Sequence, residues 1–393
     1  MRGNDLMFNI KTLNKISPVG LDKFDRSKYT WGDDIENPDA ILVRSASMHD
    51  MEMPKSLLAI ARAGAGVNNI PVDKCAEEGI VVFNTPGANA NAVKELVLLG
   101  MLICSRKVTN ALEWVKTLSG KGEEVGKLVE KGKSQFAGPE LAGKTLGVIG
   151  LGAIGVKVAN AATHLGMDVL GYDPYISVDG AWELSRSVKH AKTLKEIFEA
   201  CDYITLHVPC NAETKGMINS ESIATMKNGV RILNFARGEL AVNADILNAL
   251  ESGKVAAYVT DFAADELIGK EGVVVLPHLG ASTPESEDNC AKMAAAEIID
   301  YLENGNIKNS VNMPAASMPK SGKARVCIIH KNIPAMVAQI TAVFSDNGLN
   351  IENMQDKSRK DIAYTLLDIA QPVGTEIADK LDAIDGVVKV RII

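Results

Sequence analysis

The chain lacks most of the features that would set it apart from an ordinary globular protein. It has six cysteines in 393 residues, at 75, 104, 201, 210, 290 and 327, and no CxxC pair. That scatter argues against a disulfide framework and a structural zinc site, and it fits a reducing compartment. No apolar run approaches the length of a bilayer span, so no membrane association is expected. The first residues, Met-Arg-Gly-Asn-Asp-Leu-Met, lack the apolar core of a secretory leader, so the expected location is the cytoplasm. The formal net charge of −7 gives no basic surface for nucleic acid. There is no repeat and no low-complexity tract. With 46% hydrophobic and 23% charged residues, the chain is long enough for two or three domains with full cores.

Gly150-Leu-Gly152-Ala153-Ile154-Gly155 follows the apolar run Leu146–Ile149 and opens a helical stretch. A second apolar run, Val169–Tyr172, ends in Asp173, eighteen residues past the last glycine. A lone glycine-rich turn is weak evidence. Strand, turn, helix, strand and terminal acid in this order form a device for holding a dinucleotide. The first glycine permits the tight turn, the second admits a pyrophosphate, and the third lets helix pack on strand. The helix N-terminus offers amides to the phosphates. Asp173 can accept from both ribose hydroxyls and would repel a 2′-phosphate. It is followed by Pro-Tyr-Ile with no Arg, which points to NAD rather than NADP.

Short apolar runs at 40–43, 57–60 and 80–83 read as buried parallel strands. Residues 92–105 are apolar nearly all round and predict a buried helix. A second strand series follows at 145–149, 167–172, 203–207, 230–234, 255–260 and 273–276, separated by helical stretches, which makes a doubly wound parallel sheet. Residues 286–302 predict a long helix. Gly305 to Gly322 carries Gly, Asn, Pro and Ser and reads as a linker. The remainder has the order βαββαβ, with strands at 325–330, 350–357, 362–370 and 387–392 and helices at 334–347 and 375–384. That is the ferredoxin-like plan.

The expected fold is therefore α/β. A flavodoxin-like domain (1–91 with 286–304) accompanies a Rossmann domain (92–285), a linker (305–322) and a small C-terminal domain (323–393).

A bound dinucleotide needs a group that moves a proton and a cation that fixes an anionic substrate, both at C-terminal strand ends. Arg237 in Asn-Phe-Ala-Arg-Gly, Glu266 beyond Asp261, and His278 in Pro-His-Leu-Gly-Ala-Ser-Thr qualify. Arg presents a planar fork to a carboxylate, His titrates near working pH, and a carboxylate can orient the imidazole. Each also reads as an ordinary residue: a surface Arg, a loop His, a solvated Glu.

These motifs resemble the D-isomer-specific 2-hydroxyacid dehydrogenase family over almost the whole chain, and within it the branch that acts on 3-phospho-D-glycerate. The resemblance implies Arg237 as the carboxylate and carbonyl clamp, His278 as acid/base and Glu266 as its partner. It puts Asp261 on the nicotinamide amide. Pro209 and Thr214 go to the adenosine side, Ala153 and Ile154 over the phosphates, and Ala236 and Gly280 beside the cofactor. On the substrate side it implies Arg44 for a phosphate, the Ala65–Gly66 amides for a carboxylate, and Asn89 and Lys94 nearby.

The C-terminal unit resembles an ACT domain. His330, Asn332 and Asn350 match the serine-sensing spacing, which implies L-serine as an effector held between paired domains. A homodimer or homotetramer is implied as well, with Trp114 and the 112–129 stretch reaching across. Three positions depart from the pattern: Ala153 stands where a basic residue is usual, Leu267 where a Pro is usual, and Ala335 where a Gly is usual.

The activity so implied is NAD-dependent oxidation of 3-phospho-D-glycerate to 3-phosphooxypyruvate, the first step of phosphorylated L-serine synthesis. The same three groups would serve a reductase of hydroxypyruvate or 2-oxoglutarate. A non-catalytic NAD sensor is the alternative from another class, and it has no use for an acid/base.

Overall fold

The computed structural model describes residues 7–393; residues 1–6, which belong to the segment read above for a leader, lie outside the described residues. The chain forms two compact units, one of residues up to Asn89 together with Pro284–Ile393, the other of Ala90–Thr283.

The first unit begins with a parallel sheet of β1 (Phe8–Leu13), β2 (Tyr29–Gly32), β3 (Ala40–Val43), β4 (Ala59–Arg62) and β5 (Val81–Asn84), in the order β2-β1-β3-β4-β5. This is the flavodoxin-like order. All four residues of β3 are buried, because a parallel sheet is covered on both faces. Ala40, Leu42 and Phe83 face one core, and Ile41, Val43 and Val82 face the other. β4 lies two residues beyond the predicted run, which puts Arg62 inside the strand. β1 and β2 were not predicted. Asn9 and Lys11 interrupt β1, where Ile10 is the one fully buried residue, so neither strand shows the continuous apolar run of a central parallel strand.

The second unit holds β6 (Thr145–Ile149), β7 (Asp168–Tyr172), β8 (Lys189–His190), β9 (Tyr203–Leu206), β10 (Val230–Asn234), β11 (Val255–Thr260) and β12 (Val273–Val275). All are parallel, in the order β12-β11-β10-β9-β6-β7-β8. The order reverses between β6 and β9, so the loops leaving these two strands flank the switch point where ligands bind in such sheets.

Helix α1 (Ala90–Arg106) buries Val93, Val97, Met101 and Cys104 but leaves Leu99 and Leu102 each 46% exposed. Being apolar all round therefore does not make it buried all round. The two helices that follow, Val108–Lys116 and Val125–Gly132, have no buried residue. Helix α2 (Ala153–His164) packs on the sheet through Val156, Val158, Ala159 and Ala162.

The first unit resumes with α3 (Pro284–Asn304), whose Ala291, Ala294 and Ile298 cover the five-stranded sheet. The 305–322 segment is packed along the edge of that sheet. The Asn312 side chain accepts from Val82 N at 2.9 Å and donates to Ile80 O at 2.9 Å, and Met313 is fully buried.

Next come β13 (Ala324–Lys331), α4 (Met336–Asp346), β14 (Ile351–Arg359), β15 (Ile362–Ile369), α5 (Thr375–Asp382) and β16 (Val387–Ile392). They form an antiparallel sheet in the order β14-β15-β13-β16, the ferredoxin-like arrangement. One face packs Val326, Ile328 and Leu367 under Ile340, Phe344 and Leu381 of the two helices. The other face carries Cys327, Ile329, Tyr364 and Leu366 into the same core as α3.

Two arginines of this sheet cap the C-terminal end of α3, where helix carbonyls lack intrahelical partners. Arg391 donates to Tyr301 O at 3.3 Å and Leu302 O at 3.0 Å, and Arg325 donates to Asn304 O at 2.8 Å. The remaining donors of Arg325 go to Met318 O, Pro319 O and both oxygens of Asp368, a pair with no exposure on either side chain.

Candidate active site

The glycine loop joins β6 to α2 in the second unit. Gly150 has φ +93°, and a Cβ there would lie 2.5 Å from the His207 carbonyl. A Cβ on Gly155 would run into the carbonyl of Gly150. Only glycine fits at both positions. At Gly152 the corresponding direction meets no protein atom within 4 Å. Asp173, just past β7, anchors the loop: Oδ2 accepts from Leu151 N and Oδ1 from Tyr175 N, each at 2.8 Å.

Beyond β9, Thr214 Oγ1 donates to Pro209 O at 2.6 Å and accepts from Asn211 N at 2.9 Å, which closes that loop on itself. His207, just past β9, bonds Thr205 Oγ1 through Nε2 at 3.0 Å. Its Nδ1 is buried without a partner, and burial pushes its pKa down to about 3, so it stays neutral.

The chemistry-bearing groups gather at the ends of β10, β11 and β12. Asp261 is 2% exposed; its Oδ2 accepts from Gly280 N at 3.3 Å, and its Oδ1 is buried with no partner. Burial raises the Asp261 pKa, opposed by the charges of His278 and Arg237 and by the Gly280 amide. His278 is exposed and stands edge-on to Phe262, with ring centroids 5.0 Å apart. Arg237 is exposed and donates to Ala236 O at 2.6 Å.

The turn that presents Arg237 is built by Asn234, a fully buried residue to which the sequence reading gave no role. Its amide donates to Arg237 O at 2.9 Å and its oxygen accepts from Ala236 N at 3.3 Å. The motif Asn-x-Ala-Arg-Gly carried that signal. Glu266 is not brought to His278. It is exposed, and its Oε1 accepts from Asn243 Nδ2 at 2.8 Å, which lowers its pKa.

On the first unit, Arg44 directly follows β3, and its Nη2 lies 2.6 Å from Glu287 Oε1. Asn84 Nδ2 donates to Ala65 O at 2.6 Å and holds the turn that exposes Ala65 and Gly66. Asn89 is half-buried ahead of α1. Lys94, within α1, is 19% exposed, with Nζ 3.6 Å from Glu95.

The model of the D-isomer specific 2-hydroxyacid dehydrogenase NAD-binding domain matches residues 98–280. The chain is 31% identical to D-3-phosphoglycerate dehydrogenase of Haemophilus influenzae over 355 residues, 87% of this chain and 83% of that protein. This chain belongs to the D-isomer specific 2-hydroxyacid dehydrogenase family. It is also 32% identical to the Bacillus subtilis D-3-phosphoglycerate dehydrogenase over 81% of its own length, but spans only 62% of that protein. Against the human enzyme of that name it is 35% identical and spans 52% of its length. The NAD-bound 3-phosphoglycerate dehydrogenase of Entamoeba histolytica superposes with a TM-score of 0.61 at 28% identity, covering 78% of this chain and 99% of that one.

The residues present fit the family's NAD. The open face at Gly152, the anchored Asp173 and the unpartnered Asp261 Oδ1 are what a pyrophosphate, a ribose and a carboxamide N–H would complete.

In the C-terminal sheet, His330 is buried, with Nε2 2.8 Å from Thr365 Oγ1 and 3.3 Å from Asp356 Oδ1. Asn332 Nδ2 donates to Lys360 O at 3.0 Å. Asn350 is not brought to them: Ile351 pairs with Ile369, while His330 pairs with Ala363, six residues away along β15. That puts Asn350 about 20 Å off, at the opposite end of the sheet. Ala335 has φ +67°, the left-handed conformation in which glycine is usual, so the Ala departure does strain this turn.

Proposed function

We propose that this protein oxidises 3-phospho-D-glycerate at C2 to 3-phosphooxypyruvate. The observation that carries the reading is the cluster of Asp261, Arg237 and His278 at the strand ends, with the Asp261 Oδ1 left unpaired. Bound NAD supplies the hydride acceptor. His278 takes the hydroxyl proton as C2 is oxidised. Arg237 holds the carboxylate and the developing carbonyl with its fork. Asp261 orients the cofactor's amide. Asp173 selects NAD by its charge.

Glu266 is the acid that the resemblance sets behind His278. For that role it must exchange Asn243 for the imidazole. If it does so in the working enzyme, Glu266→Gln lowers the pKa of the pH–rate profile, and an unmoved profile removes Glu266 from the mechanism. On the substrate side, Arg44 takes the phosphate, the Ala65–Gly66 amides take the carboxylate, and Asn89 and Lys94 assist.

L-serine regulation rests on the C-terminal sheet. Asn350 immediately precedes the edge strand β14, and Asn332 bonds Lys360 at that strand's far turn. Pairing β14 antiparallel with its copy brings Asn350 of one chain beside His330 and Asn332 of the other, so the effector site belongs to two copies. Exposed Leu99, Leu102, Leu112 and Val115 support homo-oligomer contacts in the nucleotide-binding unit. Six free cysteines support a reducing, cytoplasmic setting.

The test is a panel of 2-hydroxy acids with NAD, followed by absorbance of the reduced cofactor. 3-Phospho-D-glycerate is expected to give the highest kcat/KM, and millimolar L-serine to lower the rate in wild type but not in Asn350→Ala. Oxidation of another 2-hydroxy acid with none of 3-phospho-D-glycerate would refute the substrate. Serine-insensitive wild type would refute the regulation.

A further inference from the structure

Arg44 meets its ligand already paired. Its Nη2 lies 2.6 Å from Glu287 Oε1, with the two side chains 39% and 42% exposed, so the pair faces solvent where a ligand can reach it. The contact is held from both backbones. On one side, Arg62 Nε donates to Arg44 O at 3.1 Å, and Ser45 N and Ala46 N donate to Asn14 Oδ1 at 3.0 and 2.6 Å. On the other, Glu287 sits in the first turn of α3 between Ser286, which is 3% exposed, and Asp288, which accepts a hydrogen bond from Ser17 Oγ. These bonds fix the two backbone segments that carry the pair.

A guanidinium presents two edges, and a carboxylate on one leaves the other for an incoming anion. A phosphate dianion seated there lies well within a Debye length of the Glu287 carboxylate, where like charges repel even in a watery setting. A 2-hydroxy acid without phosphate brings no charge to this end and is indifferent to Glu287.

We propose that Glu287 is a specificity-determining residue that competes with the substrate's phosphate for Arg44. This rests on the reading of Arg44 as the phosphate ligand. Glu287 narrows the preference for the phosphorylated acid over its unphosphorylated counterpart below what Arg44 alone would give, and the competition weakens as salt screens both charges.

The experiment is calorimetric titration of 3-phospho-D-glycerate and of D-glycerate into NAD-loaded wild type, Glu287→Gln and Arg44→Ala, at low and at physiological salt. Glutamine keeps an acceptor for Arg44 and removes the charge. Glu287→Gln is expected to bind 3-phospho-D-glycerate about three- to tenfold more tightly at low salt, with a smaller gain at physiological salt, and to bind D-glycerate within twofold of wild type. Unchanged or weaker binding of the phosphorylated acid by Glu287→Gln, with wild type binding it well, overturns the role of Glu287 and leaves the substrate reading standing. Binding of it by Glu287→Gln but not by wild type upholds Glu287 and overturns the substrate reading. Binding by neither overturns both. An Arg44→Ala that holds both acids as wild type does overturns the phosphate role of Arg44 and the role of Glu287 with it, and leaves the substrate reading standing.

Discussion

Arg325 and Arg237 show two ways of using the same side chain. Arg325, beneath the C-terminal sheet, has every donor engaged: Asp368 takes two bonds, and three carbonyls from the end of α3 and the 318–319 segment take the rest. Arg237, beyond β10, is exposed and engages one neighbouring carbonyl. The carboxylates follow suit. Asp368 is saturated by Arg325 and Ser321, whereas Asp261 is as deeply buried and keeps one oxygen unpartnered. A saturated buried pair holds elements together. An unsaturated one at the carboxyl end of a parallel sheet stands where a ligand completes the set.

Four substitutions break or sharpen that contrast. The largest effect belongs to the unsaturated region. His278→Ala should lose about 10²–10⁴ in kcat while calorimetry shows NAD binding nearly unchanged. Near-normal turnover would mean that another group moves the proton.

In the saturated region, Arg325→Ala leaves Asp368 buried without its counter-charge and the Asn304 carbonyl at the end of α3 without its partner. Denaturant unfolding should show a loss of about 3–5 kcal/mol, with any change in rate following the folded fraction. An unfolding midpoint equal to wild type would show that the clamp is not structural.

Glu297 is the exception in the first unit. It is buried with Oε2 unpartnered, and burial lifts its pKa to about 8, opposed by the Asn309 hydrogen bond. A carboxyl whose folded pKa is raised takes up a proton on folding at pH values between its unfolded and folded pKa. Its contribution to stability therefore falls as pH rises from about 4.5 to about 8. Glu297→Gln should flatten the decline in melting temperature over that range. A decline as steep as wild type would assign it to other groups.

The smallest effect is expected from Ala335→Gly, which relieves the left-handed strain at φ +67° against a more flexible unfolded chain. The net gain is about 1 kcal/mol or less, seen as a slightly higher melting temperature; a lower one would show that the Cβ packs usefully.

What was legible in the sequence follows from how local the physics is. β3, β6, β10 and β11 sit on the predicted residues, because a buried strand needs a run of apolar side chains that no neighbour can disguise; β16 does too, with Val387, Val388 and Val390 marking a half-buried strand despite Lys389 and Arg391. The glycine loop was legible for the same reason: tight turn, close approach and terminal acid lie within one βαβ unit. β1 and β2 were not, since Asn9 and Lys11 break the run, and β8 is two residues long. The bond from Asn243 to Glu266 and the pair of Arg44 with Glu287 join residues far apart in sequence, and neither leaves a local trace. The spacing of His330, Asn332 and Asn350 was visible in the sequence. Their separation to opposite ends of the sheet depends on strand register, which spacing does not encode.

The measurement that bears most directly on the unsaturated region is titration of NAD and NADP into wild type, Asp173→Ala and Asp261→Ala. Wild type is expected to bind NAD tightly and to prefer it strongly over NADP, Asp173→Ala to narrow that preference, and Asp261→Ala to bind NAD more weakly with the preference kept. Equal affinity of wild type for the two nucleotides, or an Asp261→Ala that binds NAD as wild type does, would contradict that expectation.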